Sequence, residues 1–139
     1  MDQPFVLEQF YNSPIEKVWQ GLTELNAMKA WYFPQLQAFK PIVDFDMKFS
    51  DDGSAYKKHW CVTAVVPGKK LAHSWSYEGC FGSSEVIFEL FEAQNGTLFR
   101  ITHTGLASFP NDPHFARARF EAGWKHIISD QFKHYLEEK

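Results

Sequence analysis

The chain has 139 residues and a formal net charge of −3 at pH 7. A chain of this length fits one domain, which can bury about two-thirds of its unfolded surface without needing a metal or a disulfide for stability. The lysines and arginines are scattered along the sequence, which argues against a nucleic-acid-binding surface. We therefore expect a single domain over residues 1–139 with no nucleic-acid partner.

Location and redox state are predicted from two absences in the sequence. No apolar run approaches the ~20 residues needed to cross a bilayer, and the first residues lack the basic start and apolar stretch of a signal peptide. We expect a cytoplasmic protein without a membrane span. Cys61, in a predicted strand, and Cys80, in a predicted loop, are then expected to be free thiols, because disulfides are typical of secreted chains.

The first part of the chain predicts one strand followed by two short helices. Residues 5–11 (FVLEQFY) are interpreted as a strand. Ser13 is then predicted to be an N-cap, with Pro14 at the first helical position and Glu16 completing a capping box. A second helix is predicted to begin near Thr23 and to end before residue 34, because the residue that precedes a proline is pushed out of the helical region.

From about Phe39 the spacing of apolar residues changes to two, which indicates strands. Turns are predicted at residues 51–54, 67–68 and 95–96, and a long strand is predicted over residues 56–66. Strands joined by such short turns favour an antiparallel meander. The residues predicted to face inward on its later strands are Leu71, His73, Trp75 and Tyr77, then Val86, Phe88 and Leu90, then Phe99, Ile101 and His103.

The last part of the chain predicts a long helix from about Pro113 to Glu137, with Asp112 as its N-cap. Gly123 is interpreted as a point where another backbone or a bulky ring approaches the helix closely, with the adjacent Trp124 as the anchor. The predicted fold class is α+β: a curved antiparallel sheet of about six to seven strands, two short helices after the first strand, and a long C-terminal helix on the concave face.

A single helix across a wide, curved sheet tends to leave a cavity beneath it. Large rings with polar atoms suit a partly wet cavity, although the same rings could simply fill the core. We predict a site that binds a small hydrophobic or amphipathic molecule. The candidate ligand-binding residues are Trp31, Trp60, His73, Trp75, Tyr77, Phe88, His103 and Trp124.

Histidines raise the alternatives of metal binding and catalysis. His126, Asp130 and His134 are spaced by four residues on one helical face, but no HExxH or CxxC pattern accompanies them, and a solvated helix face is the preferred interpretation. His73 and His103 could orient a ligand or move a proton, or they could be core histidines satisfied by neighbouring hydroxyls. No dinucleotide, phosphate-loop or GxSxG motif is present, so no metal, no cofactor and no catalytic residue are assigned.

Several short segments occur in an order that resembles a known group of proteins. They are residues 13–19 (SPIEKVW), 31–34 (WYFP), 66–71 (VPGKKL), 74–75 (SW), 96–97 (GT), 102–106 (THTGL) and 123–124 (GW). With these landmarks the chain resembles the small proteins similar to the C-terminal domain of the activator of the ninety-kilodalton heat-shock chaperone's ATPase. That group belongs to the START-like, or Bet v 1-like, helix-grip superfamily, also called SRPBCC.

The resemblance implies a helix-grip fold that holds a lipid-like or aromatic molecule between the long helix and the sheet. Some relatives are co-chaperones, so a regulator that acts through a chaperone partner is the alternative, although the eukaryotic activators carry an additional N-terminal domain that is not seen before the first strand here. Other relatives catalyse cyclisation, so a lyase, cyclase or hydrolase using His73 or His103 is the second alternative. The expected assembly is a monomer or a homodimer.

Overall fold

The computed structural model describes residues 3–49 and 57–137, and within them one curved six-stranded sheet packs against helices. The strands and the N-terminal helices are β1 (Phe5–Tyr11), α1 (Ile15–Thr23), α2 (Leu25–Trp31), β2 (Asp46–Phe49), β3 (Lys58–Val66), β4 (Lys70–Tyr77), β5 (Ser84–Ala93) and β6 (Gly96–Thr104). Two 3-10 turns follow, Leu106–Ser108 and Pro113–Phe115, and then α3 (Arg117–Trp124), a π-helical segment (Lys125–Phe132) and α4 (Lys133–Glu137). Residues 117–137 together are called the C-terminal helix below. This arrangement confirms the predicted helix-grip α+β fold.

The strands lie in the order β1-β6-β5-β4-β3-β2, and every neighbouring pair is antiparallel. The predicted meander is therefore confirmed from β2 to β6, while β1 pairs with β6 at the edge of the sheet opposite β2. An extra residue in β3, between Val62 and Ala64, shifts the register against β4. Such a bulge bends and twists a sheet, which favours the curvature that faces the helices. The turn predicted at residues 51–54 lies outside the described residues.

The hairpin predicted at residues 95–96 is present, but its turn is displaced by one residue. Ala93 pairs with Gly96 across the hairpin, so the turn residues are Gln94 and Asn95, and Asn95 has a positive φ of 67°. Gly96 is already a strand residue. A Cβ there would overlap the carbonyl oxygen of Tyr11, so a close backbone approach, rather than the turn, requires the glycine.

The first helix begins one residue later than the sequence predicted. Pro14 occupies the N-cap position and no side chain caps the helix, so the assignment of Ser13 as N-cap was wrong. The carbonyl oxygen of Ser13 instead accepts a hydrogen bond from Thr97 Oγ1 at 2.8 Å. This bond ties the start of α1 to the sheet and replaces the expected capping box.

The C-terminal helix also begins later than predicted. Asp112 and Pro113 open a 3-10 turn, and α3 starts after Ala116, which is its N-cap. The turn allows the buried ring of Phe115 to pack 5.0 Å from the ring of Tyr77, measured between centroids. The chain therefore does not form a continuous helix from residue 113, and the 3-10 turn places Phe115 in the core instead. No helix in the described residues is long and apolar enough to cross a membrane.

Candidate functional site

All the candidate ligand-binding residues are buried between the sheet and the helices, with at most 5% of each residue exposed. Strand register explains part of this clustering. His73 on β4 pairs with Val86 on β5, which pairs with His103 on β6, so the two histidines lie in one row across three strands. The inward alternation predicted for these strands is thus confirmed.

The candidate residues and the rings around them form one aromatic cluster, and its inner part is filled by stacked rings. The ring of Trp31 lies between those of Tyr32 and Phe132, with centroid distances of 4.7 and 4.1 Å. Trp60 stacks on His73 at 4.2 Å and on Tyr32 at 4.9 Å. Among the described residues, Trp60 Nε1 is the buried side-chain polar atom that has no hydrogen-bond partner. Rings at these distances are in contact, so this region is packed core.

His103 joins the sheet to the C-terminal helix through a defined tautomer. Trp124 Nε1 donates a hydrogen bond to His103 Nδ1 at 2.9 Å, so Nδ1 carries no proton. His103 Nε2 then holds the proton and donates to Ser84 Oγ at 2.8 Å, and Ser84 Oγ donates to the carbonyl oxygen of Trp75 at 2.9 Å. Burial, and to a lesser extent the charge of His73, lowers the pKa of His103 to about 3. The imidazole is therefore neutral at neutral pH.

Both ring nitrogens of His73 are also hydrogen-bonded, but to different partners. Its Nδ1 lies 2.8 Å from the carbonyl oxygen of Ser74 and must donate to it, which leaves Nε2 to accept from the Tyr32 hydroxyl at 3.2 Å. Burial lowers the pKa of His73 to about 4, although the hydrogen bond to the Ser74 carbonyl acts in the opposite direction. Both histidines thus use both ring nitrogens within the core, and their partners include the hydroxyls of Tyr32 and Ser84.

An open pocket of about 150 Å³ lies between the C-terminal helix and strands β3 and β4. Trp75, Tyr77 and Trp124 are the candidate residues that line it. The other lining residues are Phe33, Lys58, Arg119, Phe120, Gly123 and Ile127. The remaining candidates, Trp31, Trp60, His73, Phe88 and His103, lie behind this pocket in the packed cluster.

The interpretation of Gly123 as a point of close approach was wrong. A Cβ built on Gly123 would meet no atom within 4 Å outside the adjacent helix backbone, so nothing presses on this position. Gly123 instead lines the pocket, and the missing side chain leaves room there. The close approach to a helical glycine occurs elsewhere, at Gly21, where a Cβ would lie 2.7 Å from the ring of Phe132.

Two of the pocket residues that sequence reasoning missed, Lys58 and Arg119, are cationic. Lys58 is buried, with 6% of the residue exposed, and its Nζ lies 5.3, 5.8 and 5.7 Å from the ring centroids of Phe33, Trp75 and Tyr77. A period-two pattern through Lys58, Trp60 and Val62 places the lysine on the inward face, so alternation could have found it. Arg119 lies on an exposed part of α3, and no local sequence signal identifies it.

Of the three residues spaced by four on the C-terminal helix, His126 and Asp130 form an exposed pair. His126 Nδ1 lies 3.4 Å from Asp130 Oδ2, and these side chains are 64% and 71% exposed. Within the described ranges, no group of three or more His, Cys, Asp or Glu side chains is placed to hold a metal ion. Cys61 and Cys80 are both free thiols.

Comparisons with known proteins agree with the fold. A protein from Mesorhizobium loti, MLL2253, has a crystal structure that superposes with a TM-score of 0.80 at 25% identity, covering 99% of this chain and 98% of that chain. The solution structure of the Aha1 dimer from Colwellia psychrerythraea gives a TM-score of 0.78 at 22% identity, covering 97% and 96%. The crystal structure of CalU16 from Micromonospora echinospora gives 0.70 at 23% identity, covering 97% and 74%.

A comparison with curated proteins found no match. A family model does match, over residues 12–137, and its description is Activator of Hsp90 ATPase homolog 1-like protein. The matched region contains both short helices, strands β2 to β6 and the whole C-terminal helix. The chain therefore belongs to the family of Activator of Hsp90 ATPase homolog 1-like proteins, as its sequence landmarks had indicated.

Proposed function

We propose that this protein binds a small hydrophobic or amphipathic molecule, lipid-like or aromatic, between its C-terminal helix and its sheet. The observation that supports this most is the pocket lined by Trp75, Tyr77 and Trp124, which opens at the aromatic cluster. Ligand pockets are typically concave and mainly apolar with a few polar groups. A volume of about 150 Å³ is large enough for one benzene-sized ring, so we expect one ring or a short acyl segment to enter and the rest of a larger ligand to stay at the open mouth.

The first test is to look for a ligand and then to fill its pocket. Native mass spectrometry of freshly purified protein should reveal a co-purified small molecule, and an anilinonaphthalene dye should bind and change tryptophan emission. Gly123→Leu should abolish dye binding because its side chain enters the pocket. Ala122→Leu is the matched control, since Ala122 is exposed on the same helix. A parent protein that binds neither dye nor small aromatic compounds, or equal binding by both variants, would contradict the proposal.

A second candidate is a regulator that acts through a chaperone partner, and the description of the matching family supports it. The test is whether the purified protein stimulates the ATPase of the chaperone from its own organism. The Colwellia relative was solved as a dimer, which is compatible with the homodimer that we keep alongside a monomer as an expected assembly.

Catalysis by His73 or His103 receives less support, because neither residue lines the pocket and both are hydrogen-bonded within the core.

A further inference from the structure

The indole N–H of Trp60 differs from those of the other buried tryptophans. Trp31, Trp75 and Trp124 each donate their indole N–H to an acceptor within the protein, at 2.7 to 3.0 Å. Trp60 is only 1% exposed, yet among the described residues its Nε1 has no hydrogen-bond partner. An unpaired buried donor is unfavourable, because it has lost its hydrogen bonds to water without gaining another. Its presence in a native core therefore requires a reason.

Resting on the proposed function, we propose that the ligand carries a neutral oxygen acceptor, such as a carbonyl or ether oxygen, that accepts a hydrogen bond from Trp60 Nε1. The ligand's ring or short acyl segment would occupy the pocket of about 150 Å³, and its oxygen would reach inward to Trp60. A neutral oxygen fits better than a carboxylate, because a charge is much more costly to bury among apolar rings.

Phe33 lies beside both the pocket and Trp60. It lines the pocket, and its ring centroid is 5.7 Å from that of Trp60 and 5.9 Å from that of Trp75. Phe33 follows the end of α2 and is only partly buried, whereas Trp60 and Trp75 are at most 5% exposed. Of these three rings, Phe33 can turn with the least loss of packing. Its movement would join the pocket to the edge of Trp60.

The inner neighbours of Trp60 are engaged elsewhere or are apolar. Phe49 packs edge-on against Trp60 at 4.9 Å between ring centroids. His73 uses both ring nitrogens, one with the carbonyl oxygen of Ser74 and the other with the hydroxyl of Tyr32. Among the described residues, none of these neighbours accepts from Trp60 Nε1. An acceptor must therefore arrive from outside the packed cluster, and the pocket is the opening next to it.

The experiment uses two probes of nearly equal shape, acetophenone and α-methylstyrene, which differ in having a carbonyl oxygen or a methylene group. The chain has five tryptophans, so nitrogen-15 NMR should show five indole N–H signals, and the spectrum of Trp60→Phe identifies the signal of Trp60. Acetophenone should move this proton signal downfield, as hydrogen-bond formation does. The methylene probe should not, although its ring occupies the same pocket.

Isothermal titration measures the contribution of the indole N–H to affinity. Trp60→Phe should raise the dissociation constant of acetophenone about 10-fold and change that of α-methylstyrene by less than about two-fold. Trp31→Phe is the matched control, because it removes an indole N–H that is already bonded to the carbonyl oxygen of Gly21, from a buried ring that does not line the pocket. The ratio of the two dissociation constants should not change in this variant. Thermal denaturation checks that both variants are folded.

Phe33→Ala tests the route to Trp60 in the absence of any ligand. Removing this ring should speed hydrogen exchange of the Trp60 indole N–H several-fold. The indole N–H of Trp31 in the same spectrum is the internal control, since it lies deeper in the cluster and should exchange as in the parent. Equal acceleration at both tryptophans would indicate general loosening and would overturn the route past Phe33.

The outcomes separate this inference from the proposed function. If acetophenone binds but moves the Trp60 signal no more than α-methylstyrene does, or if Trp60→Phe weakens both probes equally, the acceptor-bearing ligand class is wrong while ligand binding stands. If neither probe binds the parent protein, the proposed function itself is contradicted. A shift confined to acetophenone, together with a loss of acetophenone affinity in Trp60→Phe and not in Trp31→Phe, supports the inference.

Discussion

Gly123→Ala should make the protein more stable and its ligand binding weaker. A glycine inside a helix costs about 1 kcal/mol relative to alanine. Gly123 has helical neighbours on both sides, and a Cβ there meets no atom within 4 Å outside the adjacent helix backbone. The substitution should therefore recover most of that energy, while the added methyl group takes space from a pocket of about 150 Å³.

Urea denaturation of the parent and the variant measures the first effect as a rise in the transition midpoint at unchanged slope. Dye titration measures the second effect. Ala122→Gly is the matched control, because Ala122 is exposed on the same helix and should lose about 1 kcal/mol without a change in binding. A Gly123→Ala protein that is less stable than the parent would mean that another group does press on this position, and the account of the pocket wall would be wrong.

Trp124→Ala should cost about 3–5 kcal/mol in chemical denaturation, because it removes a large buried ring. Trp124→Phe keeps most of the ring but leaves the buried Nδ1 of His103 without its donor, and should cost about 1–3 kcal/mol. A Trp124→Phe protein as stable as the parent would refute that role for the indole N–H. In the folded protein the pKa values of His73 and His103 are lowered to about 4 and about 3, whereas a histidine in the unfolded chain has a pKa of about 6.5. Between these values the unfolded chain binds more protons than the folded protein. The free energy of unfolding should therefore fall by about 1.4 kcal/mol per pH unit for each histidine as the pH drops from about 6.5 to about 4. Denaturation across this range measures the slope, and a free energy of unfolding that does not change between about pH 6.5 and about pH 4 would contradict the expectation. Chelators should leave the melting temperature unchanged, and a large fall that zinc reverses would contradict this.

The strands were predictable because alternation is a local property of the sequence. Every second residue of β4 is apolar, aromatic or histidine, and a pleated strand must place these residues on one face. They are Leu71, His73, Trp75 and Tyr77. Once neighbouring strands pair in sequence order, the same alternation places His73 and His103 on the same face of the sheet, and the strand register then puts them in one row. The two buried histidines could therefore be located in the core from the sequence alone, although their partners could not.

The features that the sequence did not predict depend on contacts between distant segments. Nothing near Ser13 indicates that Thr97 will bind its carbonyl oxygen, and this tertiary bond displaced the expected cap. The π-helical segment (Lys125–Phe132) has no sequence signal of its own. Gly123 was misinterpreted for a related reason: a glycine in a helix is equally compatible with a close neighbour and with an empty space, and only the packing distinguishes them.

The geometry separates the groups that stabilise the core from those that can discriminate between ligands. His73 and His103 have both ring nitrogens engaged, so they fix the packing of β4 and β6 and offer no free atom to the pocket. Trp124 belongs to both groups, because it lines the pocket and also donates to His103. Its substitution therefore cannot distinguish a loss of binding from a loss of structure. Gly123 and Arg119 face the pocket without holding the core together, so substitutions there test binding directly.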